Sequence, residues 1–277
     1  ACRRILRVTY RFACAEDPFE SYPIDLVASQ TNRAVALEAA EKSAVLLKNN
    51  GALPLQRSAK IGLFGTLAAK ENTGDHGSSK VVPPYVVTPL MGLASYLEDP
   101  NLTLHGTEQD IDAAAKAAKG LDAAIVIVGT TAEHEGEWIP GDMGAQALFG
   151  EGAHIPDQLK QLMSGMASQR DKENKNAGAL GGGRDRGGDR EKLRLPADQI
   201  TLIQAVSAAN PNTIVVIVSG SAILTPEWDD GAAAILQTFY SGMEGGTALA
   251  KLLYGDVSPS GKLPFSVADD EDRKSVV

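Results

Sequence analysis

Short, continuous runs of apolar residues, separated by stretches with helical periodicity, constrain the fold of this chain more than any other feature. The central run, AAIVIVG at 123–129, has no alternation of apolar and polar residues, which is typical of a strand buried on both faces. Similar runs occur at 60–65, 102–106, 212–220 and 233–240. Because strands that alternate with helices imply right-handed crossovers, we expect an α/β fold with a doubly wound, mostly parallel sheet.

The stretches around these runs carry the periodicity and end signals of helices. We predict helices at 32–49, 108–119, 196–209 and 245–255. The last apolar segment, KLPFSV at 262–267, follows a DVSPSG turn too closely for a crossover helix. We therefore expect 262–267 to form an antiparallel strand at an edge of the sheet.

Two regions depart from this alternation. Residues 1–24 read as a helix followed by an extended connector, and residues 138–188 interrupt the short loop expected after the third run. This insertion contains one predicted helix, at 155–167, and a charged, glycine-rich tail. Its GGGRDRGG segment follows no strand and opens no helix, so we interpret it as a linker rather than a phosphate-binding loop.

Composition excludes several classes of partner. The formal net charge of -9 over 277 residues, with no basic stripe, argues against binding to nucleic acid. The apolar runs are far too short to span a membrane, and no membrane association is expected. Cys2 and Cys14 have no neighbouring cysteine or histidine ligands, so we predict neither a metal site nor a cofactor. Two cysteines are compatible with an oxidising or a reducing environment, so the sequence does not indicate the cellular compartment.

The run at 123–129 opens into a loop rich in carboxylates. Glu133, Glu135 and Glu137 surround His134 there. The carboxyl ends of strands in open α/β sheets are where ligands usually bind. Repulsion among the glutamates is expected to raise at least one pKa toward the range of a general acid. A solvated acidic loop with no catalytic role explains the same spacing.

Four segments follow one another in a recognisable order: AVALEAAEKSAVLLKNNGALPL, GDHGSSKVVPPYVVTPLMGL, the pair IVIVGTTAEHEGE and GDREKLRLPADQITLI, and YSGMEGGTALAKLLYGDVSPSGKLPFS. Together they resemble the C-terminal half of glycoside hydrolase family 3, the family of many β-glucosidases. Members of this family usually carry a (β/α)8 barrel followed by a six-stranded α/β sandwich. The resemblance implies that the barrel supplies an aspartate nucleophile and that a loop of the sandwich supplies the general acid/base.

The resemblance also implies a domain organisation and a function. Residues 1–30 are expected to be the end of a barrel with a linker, and 31–277 the sandwich with its insertion at about 138–188. The expected function is that of the C-terminal domain of a retaining β-glucosidase-like hydrolase, which acts on terminal β-D-glycosidic bonds of a β-glucoside or oligosaccharide. Its partner is the barrel, and the chain alone is expected to be inactive. The alternative is a non-catalytic module that binds sugar or buttresses the barrel.

Retaining hydrolysis requires two carboxyl groups about 5–5.5 Å apart. Glu135, six residues after Gly129, matches the position of the family's acid/base and is our first choice, with Glu137 as the alternative. The pair Asp189-Arg190 resembles a family Asp-Arg pair, which we interpret as an ion pair that clamps the end of the loop.

The expected sugar-binding residues lie in two places. Ser78 resembles a family serine that contacts the sugar, and Asp75 and His76 lie in the same loop after the first predicted strand. A turn serine that bonds its own backbone is an equal alternative for Ser78. Trp138 is of a type that stacks on sugar faces, although packing within the insertion explains it equally well.

Overall fold

The computed structural model describes residues 2–13, 23–74, 81–136, 190 and 192–271, in which one sheet of six strands forms the centre. The strands are β1 (Val45–Asn49), β2 (Ile61–Phe64), β3 (Leu104–Gly106), β4 (Ala123–Gly129), β5 (Thr213–Val218) and β6 (Ala234–Gln237). Their order is β1-β6-β5-β4-β2-β3. Every neighbouring pair is parallel except β1 with β6. The predicted doubly wound, mostly parallel sheet is confirmed, with β4 at its centre.

Helices cover both faces of this sheet. They are α1 (Cys2–Ala13), α2 (Gln30–Ser43), α3 (Pro89–Leu97), α4 (Ile111–Ala118), α5 (Ala132–Glu135), α6 (Ala197–Ala209) and α7 (Gly245–Leu253). Side-chain caps start four of them: Ser29, Thr88, Asp110 and Thr131 accept hydrogen bonds from backbone N–H groups in the first turns of α2, α3, α4 and α5. Such caps satisfy donors that have no partner within the helix. No helix among the described residues combines the length and apolar character needed to cross a membrane.

The core has two halves, one on each face of the sheet. Alternate residues of a strand point to opposite faces. Accordingly, Ile125 and Ile127 pack with α3 and α7, whereas Val126 and Val128 pack with α4 and α6. All seven residues of β4 are buried, which explains why its sequence shows no alternation.

The antiparallel edge strand is present, but it is formed by a different segment from the one predicted. Residues 45–49, expected to continue a helix from 32, form β1 and pair antiparallel with β6. The segment 262–267, expected to be this strand, forms no strand. Pro264 lies in its middle and has no N–H to donate to a ladder. Helix α2 ends at Ser43. The sequence does not reveal this end, because Leu46 and Leu47 continue the helical spacing of apolar residues.

Other predicted elements are confirmed with shifted ends. The predicted helix at 108–119 corresponds to α4, and the helix at 196–209 corresponds to α6, with Pro196 as its N-cap residue. The helix predicted within 1–24 is α1. The insertion, with its predicted helix at 155–167, lies outside the described residues.

The carboxyl ends of β4 and β5 lie in close contact, on the side of the sheet where the acidic loop begins. Gly129, at the end of β4, has φ +145°, and a Cβ added there would lie 1.8 Å from the carbonyl oxygen of Val218. The buried amide of Gln199, on α6, bonds both backbone groups of Gly129: its Oε1 accepts from the N–H at 2.8 Å and its Nε2 donates to the carbonyl at 3.1 Å. The loop that follows β4 therefore starts from a fixed point.

Candidate functional site

The acidic loop after β4 contains the single-turn helix α5. Thr131 caps it: its Oγ1 accepts from the Glu133 N–H at 3.3 Å, and its own N–H donates to His134 Nδ1 at 3.2 Å. His134 thus takes part in capping. The turn points Glu133 outward, where its side chain is 73% exposed and lies 3.6 Å from Lys70 Nζ. It points Glu135 inward, toward the ends of β5 and β6.

One oxygen of Glu135 accepts hydrogen bonds from three different strand ends. Oε1 accepts from Thr130 Oγ1 at 2.7 Å, directly after β4, and from the Gly220 N–H at 2.7 Å, after β5. It also accepts from the hydroxyl of Tyr240, after β6. Because these strands are parallel, their carboxyl ends meet at this edge, and the carboxylate links them.

The other oxygen of Glu135 is paired with Arg190. Arg190 Nε lies 3.0 Å from Oε2, and the two side chains are only 8% and 10% exposed. Ser221 Oγ lies 3.4 Å from the same oxygen. Arg190 Nη2 donates to the Ala222 carbonyl at 2.6 Å and to Ser221 Oγ. Nη1 of Arg190 is buried and has no acceptor among the described residues.

These contacts favour the ionised form of Glu135. Burial by itself raises the pKa of Glu135, but the hydrogen bonds from Tyr240, Gly220 and Thr130, together with the charge of Arg190, lower that pKa by more. Burial and the neighbouring carboxylate raise the pKa of the Tyr240 hydroxyl, which therefore stays a donor. The net direction at Glu135 is opposite to that of a group prepared to donate a proton at neutral pH.

The predicted site residues are only partly covered by the described structure. Of the two acid/base candidates, Glu135 is described and Glu137 lies outside the described residues. The predicted sugar-binding residues also lie outside them: Asp75, His76, Ser78 and Trp138. The assignments of all these residues stay predictions. Among the described residues, no group of three or more histidine, cysteine, aspartate or glutamate side chains is arranged to hold a metal ion.

Arg190 forms a buried ion pair with Glu135, at the other end of the insertion. The predicted ion pair of Arg190 with Asp189 stays a prediction, because Asp189 lies outside the described residues. Sequence spacing could not reveal the pairing of Arg190 with Glu135, because the whole insertion separates the two residues along the chain.

Tyr240 and Gly220 were not identified from the sequence, although one signal pointed to them. Each is the last residue of a predicted strand, 212–220 or 233–240, and the carboxyl ends of parallel strands share an edge with the acidic loop. Gly220 is needed for space: a Cβ there would lie 2.9 Å from the Tyr240 ring and 3.0 Å from Glu135 Oε1.

Two cavities of the described structure are lined by residues other than Glu135. A cavity of about 40 Å³, lined by Leu67, Val86, Thr238 and Phe239 among others, lies at the same sheet edge. Ligand sites usually have roughly 300–1,000 Å³. An open depression of about 490 Å³ lies at the opposite edge, near Asn50 and the residues that precede β5 and β6. It is remote from the acidic loop.

Comparison with known proteins agrees with this architecture. The sequence profile of the Glycosyl hydrolase family 3 C-terminal domain matches residues 44–276, which is most of the chain. The chain belongs to glycoside hydrolase family 3. The matched span contains all six strands, the acidic loop and Arg190.

Relatives of this family 3 chain include enzymes for more than one sugar. A periplasmic β-glucosidase of Salmonella typhimurium is 30% identical over 282 residues, which cover 96% of this chain and 33% of the relative. A β-xylosidase of Formosa agariphila is 28% identical over 289 residues, which cover 98% of this chain and 33% of the relative. The chain thus spans about a third of the length of these relatives.

A solved structure supports the same fold. The β-glucosidase D2-BGL from Chaetomella raphigera superimposes with a TM-score of 0.61 at 28% identity. The match covers 87% of this chain and 30% of that protein. The sandwich described above is therefore one part of the architecture found in the relative.

Proposed function

We propose that this chain is the C-terminal part of a retaining hydrolase that cleaves terminal β-D-glycosidic bonds, and that its acidic loop supplies the general acid/base. The observation that carries the proposal is the position of this loop, which leaves the central strand of a family 3 sandwich at the edge where ligands usually bind. The names of the relatives, β-glucosidase and β-xylosidase, support β-glycosidic substrates.

The nucleophile is proposed to come from an N-terminal (β/α)8 barrel, of which residues 1–30 are the end and the linker. One feature of α1 supports this. Its large apolar side chains are exposed: Ile5, Leu6, Val8, Tyr10 and Phe12. A helix with so much uncovered apolar surface needs a partner to pack against. The sugar-binding roles of Asp75, His76, Ser78 and Trp138 belong to the same proposal.

In this mechanism the barrel carboxylate attacks the anomeric carbon while a carboxyl group of the loop protonates the leaving oxygen. The same loop residue, now ionised, then removes a proton from the water that releases the sugar. The group must therefore hold a proton in the first step and reach the glycosidic oxygen. Both oxygens of Glu135 are engaged within the sandwich, and its pKa is lowered. These contacts favour Glu137, the alternative candidate, as the proton donor.

The competing function is a non-catalytic module that buttresses the barrel. One observation favours it: the contacts of Glu135 are sufficient to give the carboxylate a purely structural role. The two functions differ in what they predict for Glu137, because a buttress needs no carboxylate there.

The complete protein, with its barrel, allows a direct test. We expect Glu137→Ala to slow hydrolysis of aryl β-glucosides by roughly 10²–10⁴-fold, the usual effect of losing a general acid/base. Azide should restore part of this loss, since it attacks the glycosyl-enzyme without base assistance. Glu133→Ala, in the same loop but exposed, is the matched control and should retain full activity. If Glu137→Ala and Glu135→Ala both keep full activity, the loop is not catalytic and the buttress function stands.

A further inference from the structure

The geometry points to Glu135 as a positioning residue, which with Arg190 fastens the acidic loop to the loops that follow β5 and β6. This inference deepens the proposed function and rests on it. Glu135 would not transfer a proton itself. It would hold the loop in the one arrangement in which a neighbouring carboxyl group meets the substrate.

The carboxylate of Glu135 joins the ends of three separate strands. Thr130 follows β4, Gly220 and Ser221 follow β5, and Tyr240 follows β6. A surface carboxylate on a solvated loop would need none of these partners. Because each contact comes from a different strand end, the loop cannot move relative to one strand without losing contacts to the others.

The loop after β5, which binds the carboxylate of Glu135, is itself held by hydrogen bonds. Ser219 Oγ donates to the Ser221 carbonyl at 2.8 Å, and Gln237 Nε2, at the end of β6, donates to Ser219 Oγ at 3.1 Å. Ser219 and Gln237 are both buried. The loop after β5 is thus braced by β6 before it receives Glu135.

Glu135 and Arg190 form a buried ion pair. Burying two charges is costly, and the cost is offset only where geometry is good and the remaining donors are satisfied. The Ala222 carbonyl and Ser221 Oγ satisfy Nη2 of Arg190, whereas its buried Nη1 has no acceptor among the described residues. The pair also brings together the two ends of the segment 136–189, since Glu135 precedes it and Arg190 follows it. The base of the acidic loop is therefore fixed on both sides.

The arrangement requires a carboxylate rather than any polar side chain. Glutamine has one acceptor oxygen and an NH₂ group. If the glutamine oxygen faces Thr130, Gly220 and Tyr240, the NH₂ group faces Arg190, and two donors oppose each other. The reverse orientation sets the NH₂ group against the Gly220 N–H, and the hydroxyl groups of Thr130 and Tyr240 lose the carboxylate as their acceptor. Glu135→Gln therefore removes the network while changing the shape of the side chain very little.

The test is a double-mutant cycle in the complete protein, with Glu135→Gln, Arg190→Met and the double variant. We expect each single variant to lower kcat by roughly 10–100-fold, the effect of misplacing a catalytic group by about 1 Å. The double variant should be little worse than either, because both changes break the same network. Additive losses, or single variants with full activity, would overturn the inference.

A pH profile separates positioning from proton transfer. Among the residues that the structure describes, the charged or titratable groups that contact Glu135 are Arg190 and Tyr240. The pH profile of kcat/KM should keep its basic limb in Glu135→Gln, because the acid is still present. Azide should not restore its activity. Loss of the basic limb together with azide rescue would show that Glu135 is the acid/base itself, which would overturn the positioning role while leaving the proposed function intact.

Tyr240→Phe keeps the test informative if Glu135→Gln does not fold. The variant removes one donor to Glu135 and retains the ring. We expect kcat to fall about tenfold at nearly unchanged KM, the order expected for the loss of one hydrogen bond to a charged group. An unchanged kcat would contradict the inference. Failure of the proposed function looks different, because Glu137→Ala would then keep full activity.

Discussion

The protonation state of Glu135 is set by residues that are distant from it in the sequence. Repulsion among three nearby glutamates predicts a raised pKa for at least one of them. At Glu135 the donors from other strand ends and Arg190 reverse that direction. The place of the carboxylate at a strand end could be predicted from the sequence. Its partners could not, because Arg190 follows a long insertion and Tyr240 follows a different strand.

The lowered pKa of Glu135 gives a prediction about stability in acid. A carboxyl group whose pKa is lower in the folded state stabilises the fold above its unfolded pKa of about 4.3. This contribution is lost as pH falls through the folded pKa. We expect the free energy of unfolding of the wild type to decrease with acidification below pH ~4.3 more steeply than that of Glu135→Gln, as measured by urea unfolding at several pH values. Identical slopes for the two proteins would contradict the lowered pKa.

Among the elements, the strands with continuous apolar sequence were predictable and the edge strand was not. Runs such as 123–129 and 212–220 are buried on both faces, so composition alone reveals them. The short strand β1 is buried only in part, and its leucines fit a helical period as well as a strand. Only pairing with β6 decides between the two, and that pairing is remote in sequence.

The close approach of β4 and β5 predicts a large effect at Gly129. A methyl group there would lie 1.8 Å from the Val218 carbonyl, so the two central strands would have to separate. We expect Gly129→Ala to lower the free energy of unfolding by about 4 kcal/mol or more. Gly120→Ala is the matched control: it also has a positive φ, but nothing lies within 4 Å of its added Cβ. It should cost only about 1–2 kcal/mol, and equal costs for the two variants would contradict the packing described.

At the scale of the whole molecule, the sandwich depends on two half-cores that share one sheet. Leu93 lies in the half covered by α3 and α7, and Leu202 in the half covered by α4 and α6, and both are fully buried. The sequence predicts both halves, because strands without alternation need cover on both faces. It does not predict how the insertion and the proposed barrel meet this core.

Equivalent truncations in the two half-cores should therefore have similar costs. We expect Leu93→Ala and Leu202→Ala each to lower the free energy of unfolding by about 2–5 kcal/mol, the range for buried leucines. Leu193→Ala, at a position 38% exposed, should cost much less. Denaturant unfolding of the three variants provides the comparison, and a negligible cost on one face only would show that this face is not part of the core.

We propose that the acidic loop donates the proton in catalysis and that Glu135 positions this loop. The most direct test measures how kcat/KM of the complete protein depends on the leaving-group pKa of a series of aryl β-glucosides. We predict a much steeper dependence for Glu137→Ala than for the wild type, since poor leaving groups need protonation. Glu135→Gln should be slower with every substrate but retain the wild-type slope. A steep slope for Glu135→Gln beside a wild-type slope for Glu137→Ala would contradict this account.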